Sequence, residues 1–550
     1  MASRPQPFWG RMARGARVAC ERRAGADRRE ERRVEGASWA GRRSAILVAA
    51  LASAAALLDL GSFHRLEQGD SLIPVLVSLQ RWTPFFWDQE RFGMLVPLLA
   101  LPVRDPLANL LLQRALTAFA GLAALLLLAR HALAGRDWPL AGLLAAGALL
   151  LLAPAPWLFE YLASQPYGLS TALALGGLAV AERAPPGSEG ASPAASWTRL
   201  PWLRPAAALL LVVAAHWVNA VAGIVLLGLA VARAGAELLE GAPRAGVRER
   251  LVREVGLLGA GLAAGQVFLR LYPLLTGHRL RLAMGTLPVE RWPGAWTSFF
   301  GLAWHDERRW GLALVAIAAA GVALLLTRPL RPQLAGALVR AGALLAAALG
   351  YALFAGALEW VEANAFHWRY LAPSALLVHL AAVSLLAEPL ARLQRLAPAA
   401  GRAALAFVPA AALAVYGAPS LAHVRADLDA ATGARTEDVL TAGCELVAGD
   451  YWSVWPTVWH AALVARERGI SRSVYGITHR SNPTVPRWKG RPPESLRICR
   501  PAGEEEHAER WLRAFHLWPV RIVGRQGTVD VLVPVGEASA TSGTTPAASR

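Results

Sequence analysis

The stretch QGDSLIPVLVSLQRWTPFFWDQERFG, residues 68–93, follows the first long apolar run of the chain. It is too polar to cross a bilayer and too apolar for an ordinary loop. Asp70, Asp88, Glu90 and Arg91 sit among Trp82, Phe85, Phe86, Trp87 and Phe92. Asp70-Ser71 makes a good helix start, and Pro74 is tolerated in the first turn. The apolar segment Leu72–Leu79 is then only about three turns long and ends at Arg81 and Trp82. Such a helix is expected to lie flat at the membrane interface with its aromatics at headgroup depth. Asp70 would stand at its N-terminus, where the helix dipole favours an anion.

The surrounding chain supplies the membrane. Of its 550 residues 55% are hydrophobic and 17% charged, and the mean hydropathy is +0.36. That excludes a disordered chain and points to an integral membrane protein. Runs of about 20 apolar residues, the length of a span, fall near 44–60, 107–129, 139–157, 166–182, 203–216, 218–233, 254–273, 310–327, 338–358, 370–387 and 403–420. The predicted fold is therefore an all-α polytopic membrane protein of about eleven transmembrane helices. The fifth and sixth runs are separated by AHWVNA (215–220), read as a tight surface turn carrying His216 and Asn219.

The charge fixes the expected orientation. The formal net charge is +17, but there is no nucleic-acid-binding motif and the Arg residues fall between apolar runs. Residues 1–43 form a basic arm, expected to be cytoplasmic. With that arm inside, the even-numbered connections hold the Arg clusters, from Arg130 and Arg136 to Arg392, Arg395 and Arg402. The odd ones mix acids, His and Trp, including outer loops 61–106, 277–309 and 359–369. Eleven spans preserve this alternation and put the C-terminus outside a bacterial inner membrane. The N-terminus lacks a convincing signal-peptide cleavage site, and Ser44–Gly61 reads as an uncleaved first span. The near-absence of Lys beside abundant Ala, Gly and Leu suits a GC-rich bacterial genome.

Residues 44–420 thus read as a transmembrane domain with a Pro/Ser/Gly-rich inner loop at 183–200. Residues 421–535 have soluble composition and read as a small extracytoplasmic α/β domain, with β-like runs at 473–478, 520–523 and 529–534 and helical stretches at 455–468 and 504–515. The tail 536–550 reads as disordered. In an oxidising compartment Cys444 and Cys499 can pair, although two unrelated buried thiols fit equally well. GDYWSVWPTVWHA (449–461) is the densest aromatic run, suited to stacking on sugars or to docking on the membrane domain.

An outward carboxylate and an outward guanidinium suit one chemistry. A sugar on a long-chain lipid phosphate holds its anomeric carbon near the headgroups. The leaving phosphate needs a cation, and the acceptor hydroxyl needs a base. The candidate cation is in ANAFHWRYLAPSALL (363–377), where Arg369 and Tyr370 open the tenth span. A guanidinium there can grip phosphate.

In layout the sequence resembles the GT-C superfamily of polytopic glycosyltransferases, which includes protein O-mannosyltransferases and lipid A aminoarabinose transferases. The resemblance rests on the first loop with its early acid, on RFGMLVPLLALP (91–102), on the second span ending LLARHALAG (127–135), and on RYLAP (369–373), which is similar to the RY-x-x-P element of the family. It implies a polyprenyl-phosphate sugar donor, no permanently bound cofactor, inversion at the anomeric carbon, Asp70 as catalytic base, and Arg369 with Tyr370 at the donor phosphate. The implied acceptor is a glycolipid, polysaccharide or protein. Many members pair Asp with Glu in the first loop, whereas here Ser71 follows Asp70, so Asp59 and Glu90 stay open as the base. Secondary substrate-binding candidates are Glu90, Arg91, His216, Asn219, His305 and Asp306. The last two also raise a divalent metal, which is not favoured because no second His stands beside them. The alternative functions are a transporter or flippase for a lipid-linked glycan, which predicts ionisable residues along the spans, and a non-catalytic envelope assembly protein.

Overall fold

A computed structural model describes residues 46–87, 93–133, 138–182, 202–276, 285–397, 399–481, 485–488 and 495–535. The basic arm 1–43, the inner loop 183–200, the tail 536–550, Glu90 and Arg91 lie outside the described residues. The chain is a multi-pass helical membrane protein carrying one small sheet. Six described helices are long and apolar enough to cross a bilayer: Pro106–Leu133, Val221–Leu239, Arg244–Tyr272, Arg308–Leu325, Arg331–Gly356 and Ala399–Tyr416. A bent pair, Trp368–Ser384 with Ala387–Leu396 (47° between them), makes a seventh. The other four predicted spans correspond to shorter apolar helices, Ile46–Asp59, Trp138–Leu152, Tyr167–Ala181 and Leu203–Val218. Eleven apolar runs are helices, and seven of them have crossing length.

Two predicted loops differ. Trp292–Leu325 is one helix, with Pro293 in its first turn. His305 and Asp306 therefore lie on a helical stretch just before the span counted from Arg308, and not on an irregular loop. The periodic apolar run simply extends back to Trp292, and Pro293 pre-sets the φ a first helical turn needs. The AHWVNA turn is tight, between Leu203–Val218 and Val221–Leu239, but His216 and Asn219 are buried. The imidazole Nε2 of His216 pairs with the Leu258 carbonyl at 3.1 Å, and Asn219 Oδ1 accepts from the Val221 N–H at 2.9 Å. Each side chain is half satisfied in this way: His216 Nδ1 and Asn219 Nδ2 stay buried without a hydrogen-bond partner among the described residues.

The opening helix, α1 (Gly69–Leu79), does not lie exposed at an interface. Leu72, Ile73, Val75, Leu76 and Val77 are all buried. They share a core with Val424, Leu428, Trp455 and Trp459 from the C-terminal region. A helix with so broad an apolar face needs cover over most of its surface. Here the cover comes from α2 (Pro106–Leu133) and from α3 (Tyr451–Glu467), the helix of the aromatic run. Trp87 packs on Trp455 with ring centroids 5.6 Å apart. The first loop is thus clamped between the membrane helices and the C-terminal unit.

That unit contains a five-stranded sheet, β1 (Leu446–Ala448), β2 (Tyr475–Ile477), β3 (Ile498–Pro501), β4 (Val520–Gln526) and β5 (Val529–Pro534), in the order β2-β1-β3-β5-β4. The β1 strand runs parallel to both β2 and β3, while β3-β5 and β5-β4 are antiparallel. The hairpin β4-β5 turns on Gly527 at φ 51°, a left-handed position where a Cβ would also strike the Asp438 carboxylate. A disulfide joins Cys444 to Cys499, with Cα atoms 5.7 Å apart, and ties the chain before β1 to β3.

Candidate functional site

Asp70 is the second residue of α1, so its carboxylate stands in the first turn, where unpaired N–H groups and the dipole favour an anion. The helix start is fixed locally: the Gln68 N–H donates to Ser71 Oγ at 2.9 Å. Arg369 lies on a single 3-10 turn, Trp368–Leu371, that opens the helix Ala372–Ser384. Its N–H donates to His367 Nδ1 at 3.3 Å. Just upstream, Ala365 and Phe366 hold φ of 53° and 52°. Two non-glycine residues in this region store strain, a feature that clusters at functional sites.

These elements bring Asp70 and Arg369 together across 299 residues of sequence. Arg369 Nη1 donates to Asp70 Oδ2 at 3.0 Å. The guanidinium also lies over the Tyr370 ring, 5.2 Å from its centroid, and its Nη2 donates to Asn364 Oδ1 at 3.4 Å and to Tyr370 Oη at 3.3 Å. The other oxygen of Asp70 is taken from the opposite side: the Tyr451 hydroxyl donates to Oδ1 at 2.5 Å. Burial, and then the Asp70 charge, push the Tyr451 phenol well above its ordinary range, so it stays protonated. The side chains of Arg369 and Asp70 are 12% and 21% exposed, which leaves the pair reachable.

Another acid stands close by. Glu160, in a π-helical turn Glu160–Ser164, accepts from Gln68 Nε2 at 3.0 Å. Burial raises its carboxyl against the pull of Arg369, and Asp70 raises it further. Two cavities border the elements that carry these residues. One of about 450 Å³ is almost wholly apolar, lined by Trp157, Phe300, Trp310, Leu345 and Leu349 with Trp368 and Leu371, which stand on either side of Arg369 and Tyr370 in the chain. The other, about 50 Å³, borders Asp70, Ser164 and Gln165.

Beneath Asp70 lies a buried charged platform. Arg114 Nε and Nη2 donate to Glu67 Oε1 and Oε2 at 2.7 and 2.8 Å. Nη2 also reaches the Ser71 carbonyl at 2.6 Å, and Nη1 the Ala163 carbonyl at 3.1 Å. Ser71 Oγ donates to Glu67 Oε2 at 2.6 Å. His64 lies 3.3 Å from Glu67 and 3.4 Å from Asp59. Asp59 is thus turned into the platform. Burial would push Glu67 up, but Arg114 and His64 together outweigh it and hold the carboxyl at about 2. Burial would likewise push His64 down, but Asp59 and Glu67 raise it to about 9. The signs follow by linkage. The depressed Glu67 contributes stability above pH 4.5 that is lost as pH falls toward about 2. The raised His64 contributes stability below pH 6.5 that is lost as pH rises through about 9. The detergent-solubilised protein is expected to melt highest between these limits. His64→Gln should flatten the alkaline limb in a melting series from pH 6 to pH 10.

The structure therefore gathers Asp70, Arg369 and Tyr370. It sends His216 and Asn219 to contacts with Leu258 and Val221, and it places His305 and Asp306 on a helix. No cluster of three or more His, Cys, Asp or Glu side chains suited to a metal occurs among the described residues. The residues not anticipated are Tyr451, Glu160, Gln68, Glu67 and Arg114. Two left a trace: Tyr451 sits in the densest aromatic run, and Arg114 is a lone cation inside an apolar one.

No family model matches the chain, and no curated protein matches it. Two solved structures are similar along nearly its whole length. One is ArnT from Cupriavidus metallidurans bound to undecaprenyl phosphate, 13% identical, with a TM-score of 0.45, covering 90% of this chain and 98% of that one. The other is the same protein in the apo state, 14% identical, with a TM-score of 0.33, covering 92% of this chain and 100% of that one.

Proposed function

We propose that the chain is a membrane glycosyltransferase of the GT-C type that moves a sugar from a polyprenyl-phosphate donor to an acceptor hydroxyl at the outer face of the inner membrane. The observation that carries this reading is the 3.0 Å pair of Arg369 and Asp70 beside an apolar cavity of about 450 Å³. A lipid phosphate offers what that arrangement lacks: a tail for the cavity and an anion for the guanidinium. In the proposed step the acceptor O–H gives its proton to Asp70, and its oxygen bonds to the anomeric carbon. The carbon–phosphate oxygen bond breaks on the opposite face, and its electron pair leaves with the phosphate, whose charge Arg369 balances. Direct displacement inverts the anomeric carbon. The cytoplasmic arm and the extracytoplasmic C-terminal domain belong to the same proposal, since the site must face the outer leaflet.

Arg369→Met tests it in the detergent-solubilised full chain. Affinity for undecaprenyl phosphate is expected to fall roughly 10- to 100-fold, the worth of a charge-assisted hydrogen bond. Affinity for undecaprenol, which lacks the phosphate, should stay within about twofold. Equal losses for both lipids, or none for the phosphate, would remove Arg369 from the donor site.

A further inference from the structure

Both oxygens of Asp70 are engaged, one by Arg369 at 3.0 Å and one by Tyr451 at 2.5 Å. If a donor phosphate takes Arg369, as the proposed function requires, the carboxylate loses its cation inside a largely buried site. A buried charge stripped of its donors is costly. The exchange of partners is therefore favourable only if something else holds Asp70 while Arg369 is away.

We propose that Tyr451, on the C-terminal unit, is a positioning residue that keeps Asp70 paired and aimed while Arg369 changes partners from the carboxylate to the donor phosphate. The acceptor hydroxyl then donates to Oδ2, the oxygen that Arg369 has left, while Tyr451 stays on Oδ1.

Two features of the fold are organised around this contact. Gly69, immediately before Asp70, sits under the Tyr451 ring: a Cβ there would lie 2.7 Å from Cε1 and 3.2 Å from Cζ. A side chain at residue 69 would displace the phenol, so the glycine permits the approach. The ring is also held from its own side, with His479 at 4.8 Å and Trp452 at 4.9 Å between centroids. The N-cap of α3 adds to this, since Asp450 Oδ2 accepts from the Trp452 N–H at 2.8 Å and fixes where the first turn, with Tyr451, points. The phenol is thus delivered to Asp70 by a rigid helix start.

The inference rests on Arg369 as the phosphate ligand, and binding of undecaprenyl phosphate to the full chain separates the two claims. Asp70→Asn should tighten binding about fivefold or more, because Asp70 no longer competes for the guanidinium. Tyr451→Phe should weaken it about tenfold in the parent, because phosphate binding then strands the carboxylate. In the Asp70→Asn background Tyr451→Phe should change it by less than about twofold. That dependence on Asp70 is something a merely structural role would not show. Gly69→Ala, which leaves the phenol intact but moves it, should reproduce the loss and serves if Tyr451→Phe does not accumulate. A tenfold loss of equal size in both backgrounds, or no loss in the parent, overturns the role of Tyr451. If binding in the parent does not depend on Arg369 at all, the donor-site reading fails and the inference falls with it.

Discussion

Asp70→Asn is expected to lower glycosyl transfer by about 10²- to 10⁴-fold, the usual contribution of a positioned base. The variant should accumulate and melt much as the parent does. The substitution keeps the size of the side chain and an oxygen that can accept from Tyr451, but it removes the ability to take a proton. The fitting readout is movement of labelled sugar from a panel of undecaprenyl-phosphate-linked donors into membrane acceptors. Loss of turnover alongside tighter lipid binding would be a distinctive pair of results, because damage to the fold weakens both. A transporter or an assembly protein on the same fold would keep its function in this variant. Glu160→Gln provides the comparison. Glu160 is hydrogen-bonded to Gln68, the residue that caps the helix of Asp70, and it lies within electrostatic reach of both Asp70 and Arg369. Transfer retained in Asp70→Asn and lost in Glu160→Gln would move the base to Glu160.

What the sequence discloses here follows from the range of the interactions. Apolar runs report burial in lipid or protein residue by residue, so all eleven were visible as helices. Whether a run crosses depends on length, and Tyr167–Ala181 and Leu203–Val218 are shorter than a straight span needs. A three-turn apolar helix between Asp70 and Trp82 fits an interface, but Leu72, Ile73, Val75, Leu76 and Val77 are buried, and so are Ser71 and Ser78 on the more polar side. An interfacial helix keeps one polar face, and Asp70, Ser71 and Ser78 supply one, so the pattern alone does not separate cover by lipid from cover by protein. The pairing of Asp70 with Arg369 was legible only through the chemistry a lipid-linked sugar needs. Nothing local in residues 68–93 points to residue 369. Tyr451 was hidden for the same reason, since its partner is 381 residues away. Its setting in an aromatic run is explained equally by the Trp455 and Trp459 that build the core around it. Arg114 leaves little trace because one mid-helix cation, with Arg130 only in the last turn, barely changes the hydropathy of this 28-residue apolar helix.

That mid-helix cation carries the second large expectation. Arg114→Met should destabilise the protein by about 3–5 kcal/mol, the cost of breaking a buried ion pair from one side. The Arg114 side chain is 3% exposed and its partner Glu67 0%. Removing the guanidinium leaves a carboxylate that water cannot reach with only Ser71 Oγ and His64 as partners, and takes a donor from the Ser71 and Ala163 carbonyls. Each partner of Arg114 lies on a different element: the loop before α1, the first turn of α1, and the turn after Glu160. The loss should therefore reach the site as well as the fold, since the same guanidinium sets the height of Asp70 and the placement of Glu160. Unfolding in mixed SDS micelles measures the first effect. The double variant Arg114→Met with Glu67→Leu separates the two: removing both charges should recover most of the stability, because no charge is then left unpaired. Transfer should stay depressed in that variant, since neither replacement can hold Ser71 and Ala163. Stability unrecovered by the second substitution would mean that Arg114 acts through packing of its stem and not through Glu67.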